Sequence, residues 1–91
     1  MKPLKFSPDL DKKLKEIHLR DANLYNRVQK QLSLFINNPR YKSLRLHKIK
    51  RRDNLKVWSI SIDKSYRMLY EENKTIYFFE LGTHDKVYKK K

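Results

Sequence analysis

The 91 residues contain no cysteine, one glycine and three prolines. The first absence excludes a disulfide-stapled secreted scaffold together with Cys-based zinc or redox chemistry, and it favours an intracellular protein. The second excludes phosphate-cradling loops of the Walker or Rossmann type, which need several glycines for close backbone approach, and with them the nucleotide-cofactor enzymes. No window approaches the ~18 apolar residues of a membrane span. The opening Met1-Lys2-Pro3-Leu4-Lys5-Phe6 has no apolar signal region. Acidic residues are scarce too, with 10 Asp+Glu against 23 Lys+Arg and a formal net charge of +13. The expectation is a cytoplasmic protein with no small-molecule cofactor, no metal and no membrane attachment, whose natural partners are polyanions.

What is present suffices for a fold. Hydrophobic residues make up 38% and aromatics 12% of the chain, which places it outside the disordered class. With no internal repeat and no break in composition, residues 1–91 read as one domain. Leu4 to Phe6 suits a short strand. Ser7-Pro8-Asp9 then supplies an N-cap, a proline for the first helical position and a carboxylate for the positive end of the dipole. Leu10, Leu14 and Ile17 follow at i, i+4, i+7, predicting a helix that ends near His18 to Arg20. Asp21 is placed to cap a second helix with the stripe Leu24, Val28, Leu32, Phe35, widened by Tyr25 and Ile36 and stopped by Asn37-Asn38-Pro39. So short a connection predicts an antiparallel helical hairpin.

From Leu55 to Leu81 the period changes to two, as in a three-stranded antiparallel meander with turns at Asp63-Lys64-Ser65 and Asn73-Lys74. A three-residue loop at the first turn sets Ile62, Ile60 and Trp58 opposite Tyr66, Met68 and Tyr70. A two-residue turn at the second sets Tyr70, Met68 and Tyr66 opposite Tyr77, Phe79 and Leu81. These nine residues form one apolar face able to receive the hairpin. Ser59, Ser61, Arg67, Leu69, Phe78 and Glu80 then fall on a second, open face. The fold class is α+β: an N-terminal strand, a two-helix antiparallel hairpin, and a meander packed on the helices.

Between the two halves, Arg40 to Lys56 carries eight Lys/Arg, one His and one Asp, with Leu44, Leu46 and Ile49 as anchors. It reads as a basic loop along the sheet edge, and the overall charge points it toward nucleic acid. After the last strand, Gly82 permits a sharp turn that aims His84 back toward Arg67 on the open face. A histidine, a tyrosine, an arginine and nearby lysines around one groove meet the needs of metal-free RNA cleavage. A base takes the ribose 2′-OH proton, cations stabilise the phosphorane, and an acid protonates the 5′-oxygen. Each residue also has a plain structural reading. Arg67 pairs across the strands with Glu80, Tyr88 packs the C-terminal segment, and His18, His47 and His84 are ordinary surface or loop histidines.

The helical hairpin, the Leu46-His47-Lys48-Ile49-Lys50 stretch, Val57-Trp58-Ser59-Ile60, Ser65-Tyr66-Arg67-Met68-Leu69-Tyr70 and the terminal Gly82-Thr83-His84-Asp85-Lys86-Val87-Tyr88 together resemble the RelE/ParE superfamily of small toxins from bacterial type II toxin–antitoxin systems. The resemblance implies a RelE-like endoribonuclease that cuts mRNA in the ribosomal A site and is neutralised by a cognate antitoxin, acidic and partly disordered. It places Arg67 on the scissile phosphate, His84 as general acid or base and Tyr88 on the terminal tyrosine of some members. Lys48 and Lys50 fall on the basic residues before the meander. Where some members carry a glutamate as base, this chain reads His47-Lys48-Ile49-Lys50; Asp53 and Asp85, the nearest carboxylates, do not match that position. His47 is the candidate base, since imidazole titrates nearest neutrality. Lys50 joins the catalytic set, and Lys48, Lys50, Arg51, Arg52 and Lys56 the RNA-binding set. Two other readings stand beside this one: a ParE-like inhibitor of DNA gyrase, which needs no acid–base residues, and a noncatalytic RNA- or ribosome-binding module.

Overall fold

The computed structural model describes residues 2–49 and 56–83. Strand β1 (Leu4–Phe6) leads into helices α1 (Pro8–Arg20) and α2 (Ala22–Asn37), then a short 3₁₀ turn, η1 (Lys42–Leu44). Strands β2 (His47–Ile49), β3 (Val57–Ser61), β4 (Tyr66–Glu72) and β5 (Ile76–Thr83) follow. The five strands form one sheet in the order β1-β5-β4-β3-β2, with β1 parallel to β5 and the other pairs antiparallel. This is the expected α+β arrangement, enlarged by one strand. The segment read as a basic edge loop contributes β2, whose His47, Lys48 and Ile49 pair with Ser59, Trp58 and Val57.

Local chemistry sets the helix ends. Ser7 Oγ accepts from Leu10 N at 3.0 Å, while the Ser7 backbone N–H donates to Phe78 O at 2.9 Å, so the cap also fastens α1 to the sheet. Asp21 serves both helices. Its N–H closes α1 on Ile17 O and its carboxylate opens α2 by accepting from Leu24 N. The stripe of Leu24, Val28, Leu32 and Phe35 is buried, but Ile36 is exposed and Tyr25 stacks instead on His18, with ring centroids 4.1 Å apart. Phe35 lies at the centre of the core, edge-on to Tyr70 at 5.2 Å and to Phe78 at 5.6 Å.

The first hairpin has the expected register: Trp58 faces Tyr70 and Ile60 faces Met68. The second does not. Its loop is Asn73 to Thr75, so Ile76 faces Glu72 and Phe78 faces Tyr70. A two-residue type I′ turn needs φ > 0 at both central residues, whereas among the described residues other than glycine only Arg45 has positive φ. Asn73 instead turns the chain by accepting the Lys74 N–H on its own side-chain oxygen. A bulge next follows, the register moving between Leu69 and Tyr70, so that Leu69 faces Glu80 and Met68 faces Leu81. Ile76 and Phe78 therefore join the helical core in place of the expected Tyr77 and Phe79, while Leu81 lies there as expected.

The second face is not left open along its whole length. Val57 and Leu69 are buried there, with Ile49 and Phe79 packed against them, and Ser59 is completely covered. The anchors Leu44, Leu46 and Ile49 hold their segment as expected, the first two on the main core and the third on this smaller cluster. Strand β1 covers only Ile76 to Phe78 of β5. Further along, Lys13 Nζ reaches from α1 to donate to Leu81 O at 2.6 Å.

Phe35 is fully buried, and Phe35→Ala is expected to cost about 3–5 kcal/mol in denaturant unfolding. Burial pushes the Tyr70 hydroxyl up from 10.0 to about 12, Glu72 adding to the rise and Arg40 opposing it. The folded chain thus keeps a proton that the unfolded chain releases. The stability this contributes is complete below pH 10 and is lost between pH 10 and about 12. Melting temperatures measured across that window should fall less steeply for Tyr70→Phe than for the parent chain.

Candidate active site

Alternation along β4 turns Met68 and Tyr70 into the helical core and sends Arg67 to the other face. The guanidinium is held from two sides. Its Nε donates to Ser59 Oγ at 2.5 Å and its Nη2 to Arg45 O at 2.8 Å, with a longer contact to Ser59 O at 3.3 Å. Arg45 presents that carbonyl because it ends η1 in the left-handed region, φ 47° and ψ 52°. For a residue with a Cβ this conformation costs about 1–2 kcal/mol.

Arg67 borders a cavity of about 550 Å³ where α2, η1 and the β3–β4 turn meet. Arg45 and Lys64 add cationic side chains to its wall, while Gln31, Ser43 and Ser61 supply polar groups. Gln31 is the single polar member of the buried α2 stripe. Its Nε2 donates to Ser43 O at 3.3 Å and Ser61 O at 2.8 Å, tying η1 and β3 to the helix. Asp63 also lines the cavity, but one carboxylate oxygen accepts the backbone N–H groups of Ser65 and Tyr66, and the other pairs with Arg27 at 3.3 Å. Its negative charge is engaged in shaping the turn, which leaves Arg45, Lys64 and Arg67 to set the sign of the cavity.

His47 is exposed on β2 and lies opposite Ser59. It shares the Arg67 face, two strands away, a spacing of about 10 Å between backbones. Lys48, the next residue, turns the other way and sets its Nζ 5.8 Å from the Trp58 ring centroid. Lys56 is exposed just before β3, its carbonyl accepting from Glu72 N. Lys50, Arg51, Arg52, His84 and Tyr88 lie outside the described residues. Opposite Arg67 the strand partner is Gly82, and Glu80 faces Leu69, so the expected Arg67–Glu80 register is displaced by two residues, one from the longer Asn73–Thr75 loop and one from the bulge. Gly82 makes no sharp turn. It is a buried strand residue without positive φ, and β5 runs on through it to Thr83. The sequence places Ser59 on the Arg67 face and Arg45 in the basic segment but gives neither a contact with Arg67, and it does not point to Gln31 or Lys64 as cavity residues. Of these last two only Gln31 gave a signal, as a polar residue inside an apolar stripe.

The fold has counterparts among known proteins. The model of the ParE-like toxin domain family matches residues 22–89. The chain belongs to the RelE/ParE toxin superfamily. RelE4 of Methanocaldococcus jannaschii is 34% identical, the match covering 100% of this chain and 95% of that protein. Among solved structures, a chain of the Escherichia coli DinJ–YafQ complex superposes with a TM-score of 0.75 at 18% identity, covering 97% of this chain and 99% of that one. A chain of the heterotetrameric YoeB–YefM toxin–antitoxin complex from Staphylococcus aureus gives a TM-score of 0.72 at 20% identity, covering 92% and 98%. In this superfamily member the β4 arginine thus sits at a cationic cavity, held by a buried serine and a left-handed carbonyl.

Releasing the backbone of Arg45 should stabilise the chain. Arg45→Gly is expected to gain about 0.5–1 kcal/mol in urea unfolding, the relief of the left-handed Cβ outweighing the added freedom of the unfolded glycine. A loss of stability would mean that the Arg45 side chain contributes more than its backbone costs.

Proposed function

We propose that this toxin-superfamily chain is a ribosome-dependent endoribonuclease that cleaves mRNA through the ribose 2′-OH. The observation that supports it most directly is the Arg67 guanidinium, fixed on the face away from the helices and bordering a cavity lined by Arg45 and Lys64. Such a group stabilises the pentacoordinate phosphorane, where negative charge exceeds that of the starting phosphodiester. In the reaction a base removes the 2′-OH proton and O2′ forms a bond to phosphorus. The P–O5′ bond then breaks, and an acid protonates the departing 5′-oxygen. The products are a 2′,3′-cyclic phosphate and a 5′-hydroxyl. DNA lacks the attacking oxygen.

We assign the base to His47, on the same face as Arg67, and the acid to His84, with Tyr88 and Lys50 as further members of the catalytic set. In the chain His84 comes two residues after Gly82, the strand partner of Arg67. Lys48, Lys50, Arg51, Arg52 and Lys56 bind the RNA or ribosomal backbone by charge. The net charge of +13 also suits an acidic, partly disordered antitoxin segment that folds on the toxin surface and blocks the site. The YoeB and YafQ chains compared above come from complexes with YefM and DinJ.

Primer-extension mapping of transcripts after induction tests the reading. New 5′ ends within translated mRNA are expected, and Arg67→Ala and His84→Ala should each reduce their formation by ~10²-fold or more. Charge reversal at Lys48 or Lys56 should lower ribosome affinity and reduce its salt dependence by about one charge apiece. Growth arrest with DNA breaks and intact mRNA would overturn the proposal in favour of gyrase inhibition. Unchanged cleavage in both alanine variants would remove Arg67 and His84 from the chemistry.

A further inference from the structure

We infer that Ser59 is a positioning residue: its buried hydroxyl fixes the plane and direction of the Arg67 guanidinium at the cationic cavity. The inference rests on the role proposed for Arg67 above. It begins with an oddity of burial. Ser59 is completely covered although it lies on the face away from the helices, between His47 on one neighbouring strand and Leu69 on the other. Its row neighbour Leu69 and the adjacent Val57 are apolar and buried, so packing alone would favour an alanine or valine here. A hydroxyl in such a place is costly unless it is hydrogen-bonded.

The Arg67 Nε–H uses that hydroxyl, at 2.5 Å. A hydrogen bond to a cation is about twice as strong as one between neutral groups. Nε is also the nitrogen inside the side chain, so fixing it settles the rotation of the whole planar fork, which a bond to a terminal nitrogen alone does not. The Arg45 carbonyl, 2.8 Å from Nη2, supplies the second point. Two acceptors on separate donor atoms define the plane. Both are uncharged, so neither offsets the positive charge of the guanidinium, as a carboxylate in either place would. A group aligned before substrate arrives acts without reorganisation during the reaction.

The test uses the purified full chain. In nitrogen-resolved NMR of the free protein, the Arg67 Nε–H should give a protected resonance. Ser59→Ala is expected to shift it and speed its solvent exchange about tenfold or more, and Ser59→Thr, which keeps the acceptor, to restore most of the protection. In ribosome-dependent cleavage, Ser59→Ala should lower kcat about tenfold with KM little changed, and should have no further effect in an Arg67→Ala background. An unaltered Nε–H signal in Ser59→Ala, or the same loss of activity with and without Arg67, would overturn the inference. If Arg67→Ala itself leaves cleavage intact, the proposed function fails, while the NMR comparison still decides whether Ser59 orients the side chain.

Discussion

A single inserted residue in β5 determines what the two faces of the sheet carry. Ile76, Phe78 and Leu81 all belong to the helix-side core, yet 78 and 81 are an odd number of residues apart, and a regular strand would turn them to opposite sides. The bulge at Phe79 reconciles them. Phe78 packs on Phe35 below, Phe79 joins Val57 and Leu69 above, and Leu81 returns to the core. The same shift places Gly82 opposite Arg67; without it Leu81 would occupy that position. The space around the guanidinium thus follows from a packing requirement several residues away.

This dependence explains what the sequence revealed and what it concealed. Ser7 and Asp21 were legible because a cap is a local interaction within a few residues of its partner. The β3–β4 register was legible because regular alternation and one loop length define it. The β4–β5 register was not, since the loop takes in a third residue, Thr75, and the bulge satisfies a demand made by the helix-side core rather than by the strand's own pattern. Strand β2 escaped notice because His-Lys-Ile carries no strand signature, and its pairing to β3 comes from tertiary structure. At the site, alternation alone put Arg67 on the correct face. Alternation put Ser59 on that face as well, but its bond to Arg67 could not be read, because a serine in a strand carries no mark of its partner and an arginine in the left-handed region contradicts its own preference.

The electrostatics of the cavity rest on neutral contacts. Asp63 is the carboxylate of the wall, and its oxygens are taken by two backbone N–H groups and Arg27. Arg67 is steadied by a hydroxyl and a carbonyl. A strongly basic small domain would ordinarily use carboxylates to hold its arginines, and each such pair would subtract from the positive field. Here Gln31 likewise fastens η1 and β3 through an uncharged amide. These uncharged contacts hold Arg67, η1 and β3 in place without offsetting the guanidinium's charge.

The ammonium of Lys13, seated on the Leu81 carbonyl, bears on how the protein behaves in a crowded solution. Among the described residues β1 pairs with β5 no further than Phe78, and an uncovered strand margin is a template on which identical chains stack into fibrils. A positive charge planted there meets its own copy on any approaching molecule and repels it. One lysine beside the apolar stripe of α1 thereby acts as a guard against self-association, and helps a sheet rich in aromatic residues to remain dispersed.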